Sequence, residues 1–158
     1  MTTNAFNRQM VMIVSGGFDP IHPGHIEMFR EAGKFGDIVV AGVNSDEWLR
    51  RKKGKEFQRF YDRLLIVNSN QFVDLAMGFD DNDGTANDLI RRTLRMFPHL
   101  PASQFTFCNG GDRGASNTPE SDYCMETGVG VKYAVGGATK FSSSSDLLDG
   151  WVDHVNKQ

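Results

Sequence analysis

Hydrophobic and polar positions alternate along the chain in two periods. MVMIVS (10–15) is a continuous apolar run stopped by Gly16 and Gly17, as expected of a strand buried on both faces. Residues 25–35 then space Ile26, Phe29, Ala32 and Gly33 at helical intervals. The pattern recurs. DIVVAGV (37–43) predicts a second strand and 61–67 a helix; QFVDLAM (71–77) predicts a third strand, followed by a helix within 85–97. QFTFCN (104–109) predicts a fourth strand, 119–127 a helix, VKYAV (131–135) a fifth strand, and 146–155 an amphipathic helix. Strands separated by helical stretches, joined by crossovers too long for hairpins, predict a parallel sheet covered on both faces. No repeat, low-complexity tract or linker divides the 158 residues, so one α/β domain over 1–158 is expected.

Such sheets bind ligands beyond the carboxyl ends of their strands. At that edge the sequence places four unusual loops, 16–24, 45–59, 109–118 and 136–145, and the chemistry is expected there. Composition adds exclusions. A net charge of -3 with both signs interspersed argues against binding nucleic acid through bulk charge. The first ten residues are polar, and no apolar run approaches the roughly 20 residues needed to cross a bilayer. A cytoplasmic location with no membrane partner is the expectation. Cys108 and Cys124 form neither a CxxC pair nor a zinc-spaced set with histidine, which predicts buried free thiols. The acidic stretch DDNDG (80–84) lacks the spacing of a calcium loop, and no metal ligands are assigned.

The first of the four loops, within SGGFDPIHPGH (15–25), carries most of the signal. Gly16 and Gly17 sit where a phosphate loop needs close approach to the backbone, yet Phe18 and Asp19 break the dinucleotide pattern GxGxxG. A dehydrogenase is disfavoured. Pro23 suits the first position of a helix, which makes His22 its cap and puts His25 in its first turn. Both imidazoles then share the volume of the unpaired amides at the helix entrance, an arrangement suited to an anion.

GGFDPIHPGH resembles the GxFDxxHxGH signature of the cytidylyltransferase-like nucleotidyltransferases, matching at Gly17, Phe18, Asp19, His22, Gly24 and His25. Nearest in look are the glycerol-3-phosphate cytidylyltransferase and heptose-phosphate adenylyltransferase branches. The resemblance implies a Rossmann-like fold and transfer of a nucleoside monophosphate, CMP favoured over AMP, from a nucleoside triphosphate to a phosphorylated alcohol or sugar. It also implies Mg2+ accompanying the triphosphate and, since members are often dimers, a homodimer. Carried over residue by residue, it makes His22, His25, Lys53 and Arg63 catalytic, the last two from RRKKGKEFQR (50–59) and the element after it. Gly16, Gly17, Phe18, Asp19, Gly24 and Lys55 are assigned to the nucleotide. So are Gly111, Asp112 and Arg113 of NGGDR (109–113).

FSSSSDLL (141–148) resembles the family's ISTSxII element, which assigns Ser143, Ser144 and Ser145 to the nucleotide phosphates. Ser143 with Asp146 also has capping-box spacing, which accounts for one serine of four. The family's arginine before this element is missing, leaving Lys140 as the nearest cation. No arginine follows it either, as one does in the adenylyltransferases that make pyridine dinucleotides or coenzyme A. Those adenylyltransferases, and a non-catalytic nucleotide sensor of the same fold, are the alternatives.

Overall fold

The computed structural model describes residues 9–110, 118–137 and 143–158. Five strands, β1 (Val11–Gly16), β2 (Ile38–Val43), β3 (Leu75–Gly78), β4 (Phe105–Cys108) and β5 (Gly130–Lys132), form one parallel sheet in the order β3-β2-β1-β4-β5. Side chains of a strand alternate between faces. Met12 and Val14 therefore enter one core with Met28, Phe29 and Ala32 of α1 (Pro23–Phe35) and Val67 of α3 (Phe60–Asn68). Val11 and Ile13 enter the other, with Leu89 and Ile90 of α4 (Asn87–Met96) and Cys124 of α5 (Ser121–Thr127). The expected fold class, a parallel sheet covered on both faces, is the one observed. No helix among the described residues is long and apolar enough to cross a membrane.

The expected elements are present, with β3 and β5 markedly shortened and one further α-helix. β3 begins four residues later than QFVDLAM predicts, because Asn70 Oδ1 accepts the Phe72 N–H and Asp74 turns its carboxylate to the Val39 N–H. β5 stops at Lys132, short of Ala134 with its left-handed φ of 55°. The addition is α2 (Asp46–Lys53), inside the 45–59 segment where a loop is expected. Its start and stop are both written in the sequence. Ser45 Oγ accepts the Trp48 N–H, Asp46 and Glu47 occupy the positive end, four cations occupy the negative end, and Gly54 caps it at φ 90°.

The strand order reverses between β1 and β4, which places a crevice at the carboxyl edge of these two strands. α6 (Ser144–Asn156) reaches the same edge, where Ser144 Oγ donates to the Pro20 carbonyl at 2.7 Å.

Candidate active site

At the entrance of α1, His22 is the N-cap in extended conformation, with Pro23 at the first helical position. Its Nδ1 accepts the Gly24 N–H at 3.1 Å, and His25 Nδ1 accepts the His22 N–H at 3.2 Å. A neutral imidazole whose Nδ1 accepts carries its proton on Nε2. The hydrogen bonding therefore assigns both rings as Nε2–H donors. The rings stack with centroids 3.7 Å apart. A Cβ on Gly24 would lie 2.9 Å from His22 Cε1, so this glycine is what lets the ring fold back over the first turn.

Phe18 supports the pair from below. It holds the left-handed region at φ 50°, a strained choice for a bulky residue, and its buried ring packs edge-on against His25 at 4.9 Å and against Phe29 at 5.3 Å. Burial, with the neighbouring His22 and Lys52 adding to it, lowers the His25 pKa to about 3. The ring is neutral at pH 7.

A cavity of about 260 Å³ opens in the crevice. Gly16, Gly17, His25, Asn44, Trp48 and Lys52 are among the residues that line it. Lys52 Nζ stands over the Trp48 ring at 4.8 Å from its centroid. Trp48 and Lys52 were not among the expected site residues, and both belong to α2. Four residues apart, they share a helix face; reading Ser45 to Gly54 as cap-to-cap would have put them at the edge of the sheet. Gly17 serves packing as well as the cavity, since a Cβ there would lie 2.9 Å from Leu49 Cδ2.

Three residues expected at the substrate have intramolecular partners in this structure. Arg63 is fully buried. Its guanidinium donates to the carbonyls of Gly17, Asn44 and Gln58 and pairs with Asp46 at 2.7 Å, so it ties the first loop, β2 and α2 together. Asp19, 2% exposed, accepts from the Phe57 and Gln58 N–H groups at 2.7 and 2.6 Å. Lys53 completes this clamp, reaching the Asp19 carboxylate at 2.8 Å and its carbonyl at 2.7 Å. The segment after α2 is thereby pinned to the first loop. All three charged side chains satisfy main-chain groups at loop ends, Arg63 and Asp19 from buried positions and Lys53 from a half-buried one.

Of the remaining assignments, Lys55 is exposed on the segment after α2. Ser143 Oγ caps α6 by accepting the Asp146 N–H at 3.0 Å, as its spacing predicts. Ser144 is committed to Pro20, and Ser145 lies in the first turn of α6. The α6 entrance therefore docks within two residues of His22. Gly111, Asp112, Arg113 and Lys140 lie outside the described residues. A second buried carboxylate organises the acidic stretch: Asp81 accepts from Asn44 Nδ2, the Ser45 N–H and Ser45 Oγ, fixing the end of β2.

Residues 13–147, the span that contains every one of these loops, match the family model described as cytidylyltransferase-like. The chain belongs to the cytidylyltransferase-like family. This is a family of nucleotidyltransferases. Among curated proteins, the chain is 36% identical over 84 residues to the bifunctional protein HldE of Campylobacter curvus, a match covering 52% of the chain and 18% of that protein. It is 28% identical over 120 residues to HldE of Actinobacillus succinogenes, covering 69% of the chain and 25% of that protein. The chain thus spans a quarter or less of these relatives.

Among solved structures, the lipopolysaccharide core biosynthesis protein of Thermoplasma volcanium superposes with a TM-score of 0.62 at 19% identity, covering 85% of this chain and 99% of that one. The putative nicotinate-nucleotide adenylyltransferase of Vibrio parahaemolyticus superposes with a TM-score of 0.56 at 16% identity, covering 92% and 82%. At these identities the likeness is one of fold.

Proposed function

We propose that the chain moves a nucleoside monophosphate from a nucleoside triphosphate to a phosphorylated alcohol or sugar and releases pyrophosphate. The observation that carries this reading is the stacked pair of Nε2–H donors, His22 and His25, at the entrance of α1 beside the crevice. In the proposed reaction an acceptor phosphate oxygen attacks the α phosphorus while the bond to the bridging oxygen of the departing pyrophosphate breaks. The second ionisation of a phosphate monoester lies near pH 6, roughly, so the attacking oxygen is already anionic and needs no base. A neutral His25 whose Nδ1 is occupied suits that chemistry, because it donates and does not abstract.

Two demands remain. Acceptor and triphosphate must be held in line against their mutual repulsion, which is worth roughly 7 to 11 kcal/mol of barrier. Donors must also meet the charge developing on the α phosphoryl group and the pyrophosphate. We assign these tasks to His22, His25, Lys52 and the first turns of α1 and α6. Mg2+ belongs to the proposal as the triphosphate's counter-ion. No three acidic, cysteine or histidine side chains converge on one point among the described residues, and the Asp19 carboxylate is occupied, so phosphate oxygens and water would complete the ion's shell.

CTP is the proposed donor because no arginine follows the serine-rich segment. ATP is the second reading, favoured by NGGDR and GGATKFSSSS, which resemble loops of heptose-phosphate adenylyltransferases. The test is pyrophosphate release with Mg2+, crossing CTP, ATP, GTP and UTP with a panel of phosphorylated alcohols and sugars. Release from a CTP or ATP pair is expected. Nucleotide binding without release from any pair would favour a sensor instead.

A further inference from the structure

We infer that Asp81 is a positioning residue: it fixes the rotation of α2 and thereby selects Lys52, from four consecutive cations, as the one that meets the substrate phosphates. The inference deepens the transfer reading above and rests on it for the phosphates. Arg50, Arg51, Lys52 and Lys53 fill the last turn of α2. Successive residues of a helix point about 100° apart, so turning α2 by that angle replaces one cation with the next. Three of the four are bonded elsewhere. Arg50 donates to Glu56 at 2.8 and 3.1 Å, Arg51 to the Asp81 carbonyl at 2.9 Å, and Lys53 to Asp19. Lys52 is the member of the run on the cavity wall, with its Nζ over the ring of Trp48.

Asp81 holds that rotation at two levels of α2. Its carboxylate, 2% exposed, accepts from Ser45 Oγ at 2.7 Å, from the Ser45 N–H at 2.8 Å and from Asn44 Nδ2 at 3.0 Å. A carboxylate only accepts, so it takes the one proton of the Ser45 hydroxyl and leaves that oxygen's lone pairs for the Trp48 N–H, 3.1 Å away. Asp81 thus aims the cap. One turn later its carbonyl holds Arg51, the neighbour of Lys52. The same carbonyl accepts the Gly84 N–H at 3.0 Å, and Asp88 of α4 accepts the Asp80 N–H at 2.7 Å, so the anchor itself stands on α4. DDNDG, which lacks the spacing of a calcium loop, serves here as the mount of α2. Charge alone predicts the reverse of this role, because removing a carboxylate near an anion site strengthens anion binding. The sign of the effect therefore separates positioning from electrostatics.

The experiment measures the Kd of inorganic tripolyphosphate by calorimetry for wild type, Asp81→Ala and Asp81→Asn, and for each of them in a Lys52→Met background, beside the pyrophosphate-release assay. Asp81→Ala is expected to weaken tripolyphosphate about tenfold, and Asp81→Asn, which keeps one oxygen for the Ser45 N–H, about threefold. Neither is expected to weaken it further once Lys52 is replaced. Thermal melts identify a variant that fails to fold; if Asp81→Ala does, Asp81→Asn decides. Binding too weak to measure in Lys52→Met upholds Lys52 as the cation, and the single Asp81 variants then decide. Unchanged or tighter binding in a folded Asp81 variant, or the same weakening with Lys52→Met present, overturns the inference and leaves the transfer reading standing. Absence of tripolyphosphate binding to wild type overturns it as well. If no pair releases pyrophosphate, the transfer reading fails, and the tripolyphosphate Kd values still decide whether Asp81 positions Lys52 for an anion.

Discussion

The His22 ring lies on the His25 ring at a centroid separation of 3.7 Å, and each gives its Nδ1 to a main-chain N–H of the same helical turn. The α1 cap and the proposed donor pair are thus one object. His25→Ala removes one donor and is expected to cut turnover by at least about a hundredfold, the scale for losing one preorganised donor. Circular dichroism should report an intact fold, and near-normal turnover would refute the role.

Acid should weaken the folded state through the same ring. The unfolded chain takes up the His25 proton near the ordinary value of 6.5, while the folded chain resists until about 3. Between those values the unfolded state binds more protons, so stability falls as pH is lowered through this window. Urea titrations from pH 7 to pH 4 should show this loss, and His25→Gln should reduce the pH dependence of the midpoint.

Arg63 is expected to govern stability. Arg63→Met would leave three carbonyls and Asp46 without their buried donor, which costs about 3 kcal/mol or more. A denaturant midpoint equal to that of wild type would show that the buried tie is dispensable.

Adjacent lysines should separate by phenotype. Lys53→Met opens the Asp19 clamp and is expected to quicken trypsin cleavage after Lys55 and Arg59. Lys52→Met, on the cavity wall, should raise substrate KM while leaving the cleavage rate at these sites near that of wild type. Equal cleavage rates in both variants would remove the distinction.

Continuous apolar runs and 3.6-residue spacing were enough to read the parallel sheet from the sequence, because burial on both faces leaves little else those segments can do. The α1 entrance was equally legible. Pro23, Gly24 and the histidines act within one turn, and local rules of capping and spacing settle where they go. α2 is legible through Ser45, the acidic pair and Gly54, but the cation density of 50–59 suits a solvated loop as well as the last turn of a helix, and local rules do not separate the two.

What only the tertiary structure decided is which charged groups face the crevice and which are consumed in building it. Arg63, Lys53 and Asp19 carry the same charges whether exposed or buried, and their partners come from 17 to 46 residues away in the chain for Arg63's contacts with Asp46 and Gly17. Sequence determines the charge and the local turn. Whether a loop end leaves a carbonyl or an N–H without water depends on how separate segments pack, and that packing spends Arg63 on the frame and leaves Lys52 on the cavity wall.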